Sequence, residues 1–278
     1  MDRKNVVFAL GSHDPEMRSI RYMLCQKGYR YTYANRFGRR CITSNAYSAD
    51  QLSKNIRDDQ QIIWVECRTP LFALGRDLVV DHHNPGDPGY DAPPSQFWLG
   101  SSIGQVAELI GASGDEYALV AASDHCLSAA MRGECPGISR QDLMCWRITA
   151  RAAMADIQPW LLRRRIDYAV ECLQSLPRLN FGGEEIVDAT FVKTPELRDA
   201  AAVLCLPVLT TRKNAIGQIK VGLYGARPEI VTSWLDVMGR SNDVDYTYGC
   251  PLREYGGAVL SMEASNAMVD FSRSRCLR

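Results

Sequence analysis

The stretch Asp77-Leu78-Val79-Val80-Asp81-His82-His83-Asn84-Pro85 passes from an apolar run to an acid and two imidazoles within one residue. Its β-branched pair suits a buried strand, so the pattern predicts a strand over 77–81 that delivers Asp81, His82 and His83 at its carboxyl end. The Gly/Pro-rich run 84–94 that follows reads as a loop. Upstream, 61–67 and 5–10 are strands of the same kind, each closing on a polar cluster. The first closes on Glu66, the second on Gly11-Ser12-His13-Asp14-Pro15. Asp14 suits a helix N-cap, Pro15 the first helical position and Gly28 the stop, with Ile20, Met23 and Leu24 as the core face. Residues 29–34 read as a further strand, 48–56 as a helix, 101–110 as a helix, and 116–123 as a strand ending at Asp124. Strands alternating with helices imply an α/β fold around a parallel sheet, where ligands sit beyond the carboxyl ends of strands.

The second half reads differently. Residues 138–176 are mainly helical, with Ile148, Met154, Trp160, Leu161 and Leu162 as packing residues, and 177–183 interrupts them. Strands are expected near 185–192, 202–208 and 218–224, a helix at 228–239, and tight turns at Gly249, Gly256 and Gly257. The resulting division is an N-terminal domain over 1–150, a helical connector over 151–183 and a smaller α/β C-terminal domain over 184–278.

Basic and acidic side chains balance at 32 each, which argues against a protein that tracks long duplex nucleic acid through a global basic field. Small anionic ligands stay open through local arginines. The ten cysteines include no Cys-x-x-Cys pair, so neither a zinc knuckle nor a disulfide framework is indicated, and reduced thiols are expected. Cys126 and Cys135 read as small buried or loop residues. No apolar run reaches the length of a membrane span, and the expected location is cytoplasmic.

Chemistry concentrates at the histidines. There are four, His13, His82, His83 and His125, and each stands in an acidic cluster: His13-Asp14, Asp81-His82-His83 and Asp124-His125. A lone histidine is more often a packed or surface residue than a ligand. Four gathered this way point to a site. Imidazole with carboxylate and no thiolate pair suits Mn²⁺ or Mg²⁺, ions that polarise a phosphoryl oxygen and activate a water. Asp81 is the candidate bridge between two ions. Tyr29, Tyr31 and Tyr33 read as one face of a strand, and Arg36-Phe37-Gly38-Arg39-Arg40 as a solvated loop.

Val79-Val80-Asp81-His82-His83-Asn84-Pro85 resembles the signature motif of the DHH phosphoesterase superfamily. Four further segments fall in order around it. Gly11-Ser12-His13-Asp14-Pro15-Glu16-Met17-Arg18-Ser19-Ile20 is similar to the first motif of the family II pyrophosphatase branch. Glu66 falls at the second-motif aspartate. Ser101 to Ile110 resembles the helix after the signature, and Ser123-Asp124 resembles the fourth motif. The resemblance spans roughly residues 5–130. It implies a DHH-type N-terminal domain and a metal-dependent phosphoesterase. One or two Mn²⁺ or Mg²⁺ ions would be held by Asp81, His82, Asp124 and Glu66, with His13 and Glu16 as further ligands. His83, His125 and Arg18 would assist catalysis.

The sequence departs from the family pattern at several points. Ser12 stands where the family has histidine, Glu16 and Arg18 where it has aspartates, and Glu66 where it has aspartate. Three arrangements follow: one retained metal, Arg18 as a guanidinium replacing the second cation, or binding without catalysis. The resemblance also implies a capping C-terminal domain of DHHA1 type. Arg227 and Arg253 would contact phosphate there, and Gly256-Gly257 would form a phosphate-cradling turn that lacks the family's histidine. The expected substrate is a small phosphorylated compound, down to a short oligonucleotide or cyclic dinucleotide, with no membrane partner. The rival reading is a catalytically silent DHH-fold protein that binds a nucleotide or a partner protein. A homodimer is left open.

Overall fold

The computed structural model describes residues 2–72 and 75–268. The chain divides into two compact units. Unit 1 takes residues 1–126 and 133–159, and unit 2 takes 127–132 and 160–278.

Unit 1 is α/β. Its elements are β1 (Val6–Leu10), α1 (Pro15–Gln26), β2 (Arg30–Arg36), the short β3 (Arg39–Arg40) and β4 (Gln51–Leu52), β5 (Gln61–Val65), β6 (Leu78–Val80), α2 (Phe97–Gly100), α3 (Ser102–Ile110) and α4 (Asp115–His125). The helix α5 (Leu127–Arg132) belongs to unit 2, and α6 (Arg140–Met154) returns to unit 1. The sheet runs β3-β2-β1-β5-β6 with β4 also on β2. β1 pairs in parallel with β2 and β5, and β5 in parallel with β6. Every residue of β1 is buried, as expected of a central parallel strand covered on both faces.

Local chemistry sets these elements. Asp14 caps α1 by accepting from the Met17 amide at 2.8 Å, and Pro15 opens the helix. Met17, Ile20, Met23 and Leu24 form its buried face. Ser101 caps α3 through the Gly104 amide, and Gly111 ends it in the left-handed region. Asp77 ties β5 to the start of β6 by accepting from the Ile62 amide and the Trp64 indole.

Unit 2 contains α5, α7 (Pro159–Ser175), β7 (Arg178–Phe181), β8 (Glu184–Ala189), α8 (Leu197–Leu204), β9 (Val208–Lys213), β10 (Ile219–Tyr224), α9 (Pro228–Gly239), β11 (Val244–Cys250) and β12 (Tyr255–Leu260). The strands form one mixed sheet, β11-β12-β10-β9-β8-β7, parallel only between β8 and β9. Alternation along β8 divides its core: Ile186 packs with Ile230, Val231 and Trp234 of α9, whereas Val187 packs with Leu173 of α7 and Leu197 of α8.

The structure corrects several expectations. Residues 116–123 are helical, within α4, and 202–204 close α8 before β9 begins at Val208. Both segments are short apolar runs rich in alanine. Such runs fit strand and helix alike, and alanine's propensity favours the helix. Residues 48–56 hold no α-helix. A 3-10 turn at Ala46–Ser48 leads into β4, and the Asp50 carboxylate and Ser53 hydroxyl bind the Phe37 and Tyr33 amides. Gly256 and Gly257 are not a turn. They lie inside β12, which pairs with β10 on one side and β11 on the other. The stretch 151–183 is not one connector either, since α6 packs in unit 1 while α7 and β7 belong to unit 2. Among the described residues no helix is long and apolar enough to cross a membrane.

Candidate metal centre

Sheet register brings the motifs together. Leu10 pairs with Val65, and Val65 with Val80, so the next residues, Gly11, Glu66 and Asp81, leave the sheet side by side at its carboxyl edge. The Gly11 amide bonds Val65 O and the Glu66 amide bonds Val80 O, each at 3.0 Å. A β-carbon on Gly11 would lie 2.4 Å from the Glu66 carbonyl oxygen, so only glycine fits there. Glu66 itself adopts φ +51°. Such a conformation costs a non-glycine residue about 1–3 kcal/mol and is held only by its surroundings.

Four side chains meet above this edge. Glu66, His82, His83 and Asp124 each offer a ligand atom, all within 4.8 Å of one another. His82 Nε2 lies 3.1 Å from Asp124 Oδ2 and 3.4 Å from Glu66 Oε1. Asp124 arrives from the last turn of α4. His82 is fully buried and Asp124 is the most open of the four, at 37% side-chain exposure, so solvent reaches the group from the Asp124 side.

His125 fixes the ring of His82. Its Nε2 lies 2.8 Å from the Ala92 carbonyl oxygen, which can only accept, so Nε2 carries a proton. In a neutral ring, His125 Nδ1 is then an acceptor, and it lies 3.1 Å from His82 Nδ1. His82 Nδ1 must therefore donate. A neutral His82 then presents its Nε2 lone pair to the two carboxylates, an arrangement that calls for a cation between them. Gly100 permits this packing, since a β-carbon there would sit 2.6 Å from the His125 ring.

Asp81 plays another part than the expected bridge. Its carboxylate accepts from the His82 and His83 amides, from His83 Nδ1 at 3.0 Å and from the Tyr47 hydroxyl at 2.9 and 3.0 Å. Engaged on all these donors, it orients His83 and the turn. Burial and the charges of Asp81 and Glu66 push the Tyr47 hydroxyl well up, so it stays a donor.

Glu16 is buried behind the cluster. One oxygen accepts from the Ile103 amide at 2.8 Å, and the carboxyl faces that of Glu66, whose Oε1 lies 3.4 Å from His82 Nε2. Burial first, then the charges of Asp124 and Glu66, hold the Glu16 carboxyl well above its ordinary range. Burial, Glu66 and Asp124 raise Asp14 to about 7. Burial also opposes ionisation of Glu66, but in the metal-free protein the charges of protonated His83 and His82 outweigh it and lower that carboxyl to about 2. The Glu66 and Asp124 carboxylates and the His82 Nε2 lone pair fit a divalent cation of the Mn²⁺ or Mg²⁺ class.

Other expected residues are not among these four side chains. His13 is exposed, surrounded by Arg40, Arg18 and Arg21, and outside the ligand group. Arg18 is exposed on α1, facing a groove with Glu116 and Trp146. His125 is buried with both ring nitrogens engaged, so it has none left to protonate a leaving group. In unit 2, Arg227 pairs with Glu184 and Glu229. Arg253 is buried in a 3-10 turn, with its guanidinium 5.4 Å from the Tyr255 ring. The amides of Gly256 and Gly257 serve the sheet. Cys126 and Cys135 are buried, with Sγ atoms 3.2 Å apart, and stand outside the ligand group. Tyr47 and Arg147 were not legible as site residues. Arg147 donates to the Ser123 hydroxyl at 2.8 Å, and burial lowers it to about 10 against the pull of Asp124.

No family model matches the chain, and no curated protein matches it. Among solved structures, a match spans 99% of this chain and 98% of a pGpG-specific phosphodiesterase, PggH from Vibrio cholerae, at 12% identity and a TM-score of 0.44. A likeness of this degree assigns neither activity nor substrate.

Proposed function

We propose that unit 1 is a metal-dependent phosphoesterase centre of DHH type, acting on a small phosphorylated or nucleotide substrate. The observation that carries the reading is the chain from the Ala92 carbonyl through His125 to His82, which aims a lone pair at two carboxylates. Glu66, His82 and Asp124 would hold one Mn²⁺ or Mg²⁺ ion. When bound, such an ion supplies Lewis acidity to a phosphoryl oxygen and makes a bound water nucleophilic near neutral pH. The residues around it have separate tasks. Glu66 provides a negative charge that selects a cation. Asp81 fixes His83 through Nδ1, and His83, one-third exposed, is the imidazole placed to exchange a proton with a leaving oxygen. Arg18 stands where the family has its second-metal aspartate, which favours a single ion.

The test incubates purified protein with Mn²⁺ and pyrophosphate, bis-p-nitrophenyl phosphate, short oligonucleotides and cyclic dinucleotides. Turnover is expected for at least one, with about one ion per chain by elemental analysis and loss of at least a hundredfold in rate on His82→Ala or Asp124→Asn. Tight nucleotide binding with no turnover across the panel would overturn the enzyme reading and favour the silent binder. Two ions per chain would overturn the single-ion arrangement.

A further inference from the structure

Cys126 and Cys135 bring their Sγ atoms within 3.2 Å of each other, and both side chains are buried. A disulfide needs about 2.05 Å between its sulfurs, so bonding asks for an approach of roughly 1 Å. The pair stands at a junction of the chain. Cys126 ends the first segment of unit 1 and caps the C-terminus of α4. The chain then forms α5 in unit 2 and re-enters unit 1 at Gly133, just before Cys135. Cys135 lies in the loop 133–139, where Gly133, Glu134, Pro136 and Gly137 are exposed while its own side chain is turned inward. One layer of loop therefore separates the two sulfurs from a small oxidant in solvent.

Cys126 is also the next residue after Asp124 and His125, so what moves it moves the last turn of α4. Its amide bonds the Ala122 carbonyl at 3.3 Å, the final rung of that helix. His125 tolerates little displacement. Its ring is held between the Ala92 carbonyl at 2.8 Å and His82 Nδ1 at 3.1 Å. Hydrogen bonds of this kind are lost once the atoms separate beyond about 3.5 Å. A shift of a few tenths of an ångström is thus enough to release the His82 ring from its partner.

We propose that Cys126 and Cys135 form a reversible disulfide under peroxide, and that the bond weakens metal binding at the neighbouring centre. Hydrogen peroxide is the oxidant. One sulfur takes an oxygen from it, becoming a sulfenic acid, and the rest of the peroxide leaves as water. The second sulfur attacks the sulfenic sulfur, the S–S bond forms, and that oxygen leaves with the remaining thiol proton as a second water. Two thiols and one peroxide give one disulfide and two waters, the two electrons passing from sulfur to oxygen. A small dithiol reverses the step by exchange. Buried thiols are ordinarily inert, but here each sulfur has a partner in place to trap the first oxidation product. Closing the bond draws Cys126 toward Cys135, and Asp124 and the His125 ring move with it. The bond is independent of the phosphoesterase reading, whereas its effect on metal affinity rests on that reading's ligands, His82 and Asp124.

The test treats the full chain, stripped of metal with EDTA, with hydrogen peroxide and then removes the peroxide by desalting. Peptide mapping by mass spectrometry reads the bond, and competition against a fluorescent chelator reads Mn²⁺ affinity. Peptides holding Cys126 and Cys135 are expected to be joined with the loss of two hydrogens. Mn²⁺ affinity should fall about tenfold or more, as when a histidine ligand loses its orienting partner, and dithiothreitol should restore both. Cys135→Ser should bind Mn²⁺ like the reduced wild type and keep that affinity after peroxide. Cys135→Ala should do the same, which guards against an effect of the serine hydroxyl. A map in which the exposed Cys25 and Cys145 oxidise while this pair stays reduced would overturn the proposal. So would a disulfide that leaves Mn²⁺ affinity unchanged, or a loss of affinity that persists in both Cys135 variants. Failure of the reduced protein to bind Mn²⁺ at all would sink the metal-centre reading instead, with the joined peptides still expected.

Discussion

His82 and His125 face each other through their Nδ1 atoms at 3.1 Å, with rings nearly parallel at 24°. One of these nitrogens must donate, and the Ala92 carbonyl decides that it is His82. The tautomer of a candidate metal ligand is thus set two residues away from the cation it would meet.

His125 is therefore a positioning residue, and its removal should act on metal affinity. His125→Ala is expected to weaken Mn²⁺ binding by about 10–100-fold, the usual effect of losing the partner that orients a histidine ligand. Competition against a fluorescent chelator measures this without any substrate. Wild-type affinity in the variant would show that the His82 ring holds its orientation without help.

Glu16 gives a second test, now of protonation. A carboxyl held well above its ordinary range is neutral near pH 7, so Glu16→Gln replaces one uncharged group with another of the same shape. The amide oxygen can still accept from Ile103 N. The metal-free variant should match the wild type in denaturant midpoint. Glu16→Ala should lose about 1–3 kcal/mol by leaving the Ile103 amide unsatisfied and a gap behind it. A marked loss in Glu16→Gln would mean that the charge is present and needed.

How much of this was readable beforehand follows a physical line. The strands β1, β5 and β6 and the cap at Asp14 were legible because runs such as Val6-Val7-Phe8 and Ile62-Ile63-Trp64 carry their own signal. The four clustered side chains stood out too, Glu66, His82 and His83 just past strand ends and Asp124 beside an imidazole, although Asp124 lies at the end of a helix and not of the expected strand. Their roles were not. Asp81 looked like the metal bridge, but Tyr47, far off in sequence, donates to its carboxylate and ties it into the turn. His125 looked like a proton donor until the Ala92 carbonyl and His82 took both of its nitrogens. Each assignment depends on a partner brought near only by folding. The helix α4 was hidden for a different reason, because its alanine-rich run lacks a distinct period.

Asp14 predicts how stability varies with pH in the metal-free protein. Its folded carboxyl titrates at about 7 against 3.8 in an open chain. The folded state therefore binds more protons in that window, and stability falls as pH rises from about 4 to about 7. Glu66, lowered to about 2 from 4.5, contributes stability that is present above its unfolded value and lost as pH falls, so its opposite slope enters only at the acid end of this range. Asp14→Asn keeps a good N-cap residue and removes the titration. The variant should gain on the wild type steadily from pH 4 to pH 7 in chemical denaturation with EDTA. A constant difference across the window would place Asp14 in its ordinary range.

Gly11 links the fold to the site most directly. The α-hydrogen that a side chain would replace faces the Glu66 carbonyl, where a methyl group would stand 2.4 Å from the oxygen. The obstacle is backbone, so no side chain can swing away, and Gly11→Ala must push β1 and β5 apart at their ends or turn the Glu66 peptide. Either movement costs about 1–3 kcal/mol by analogy with other overpacked sites. It also displaces Glu66, whose φ of +51° depends on its neighbours. The variant should therefore lose stability and, at a temperature where it is still folded, bind Mn²⁺ more weakly than the wild type. Reduced stability with unchanged Mn²⁺ affinity would show that β1 alone yields to the clash and leaves Glu66 in place.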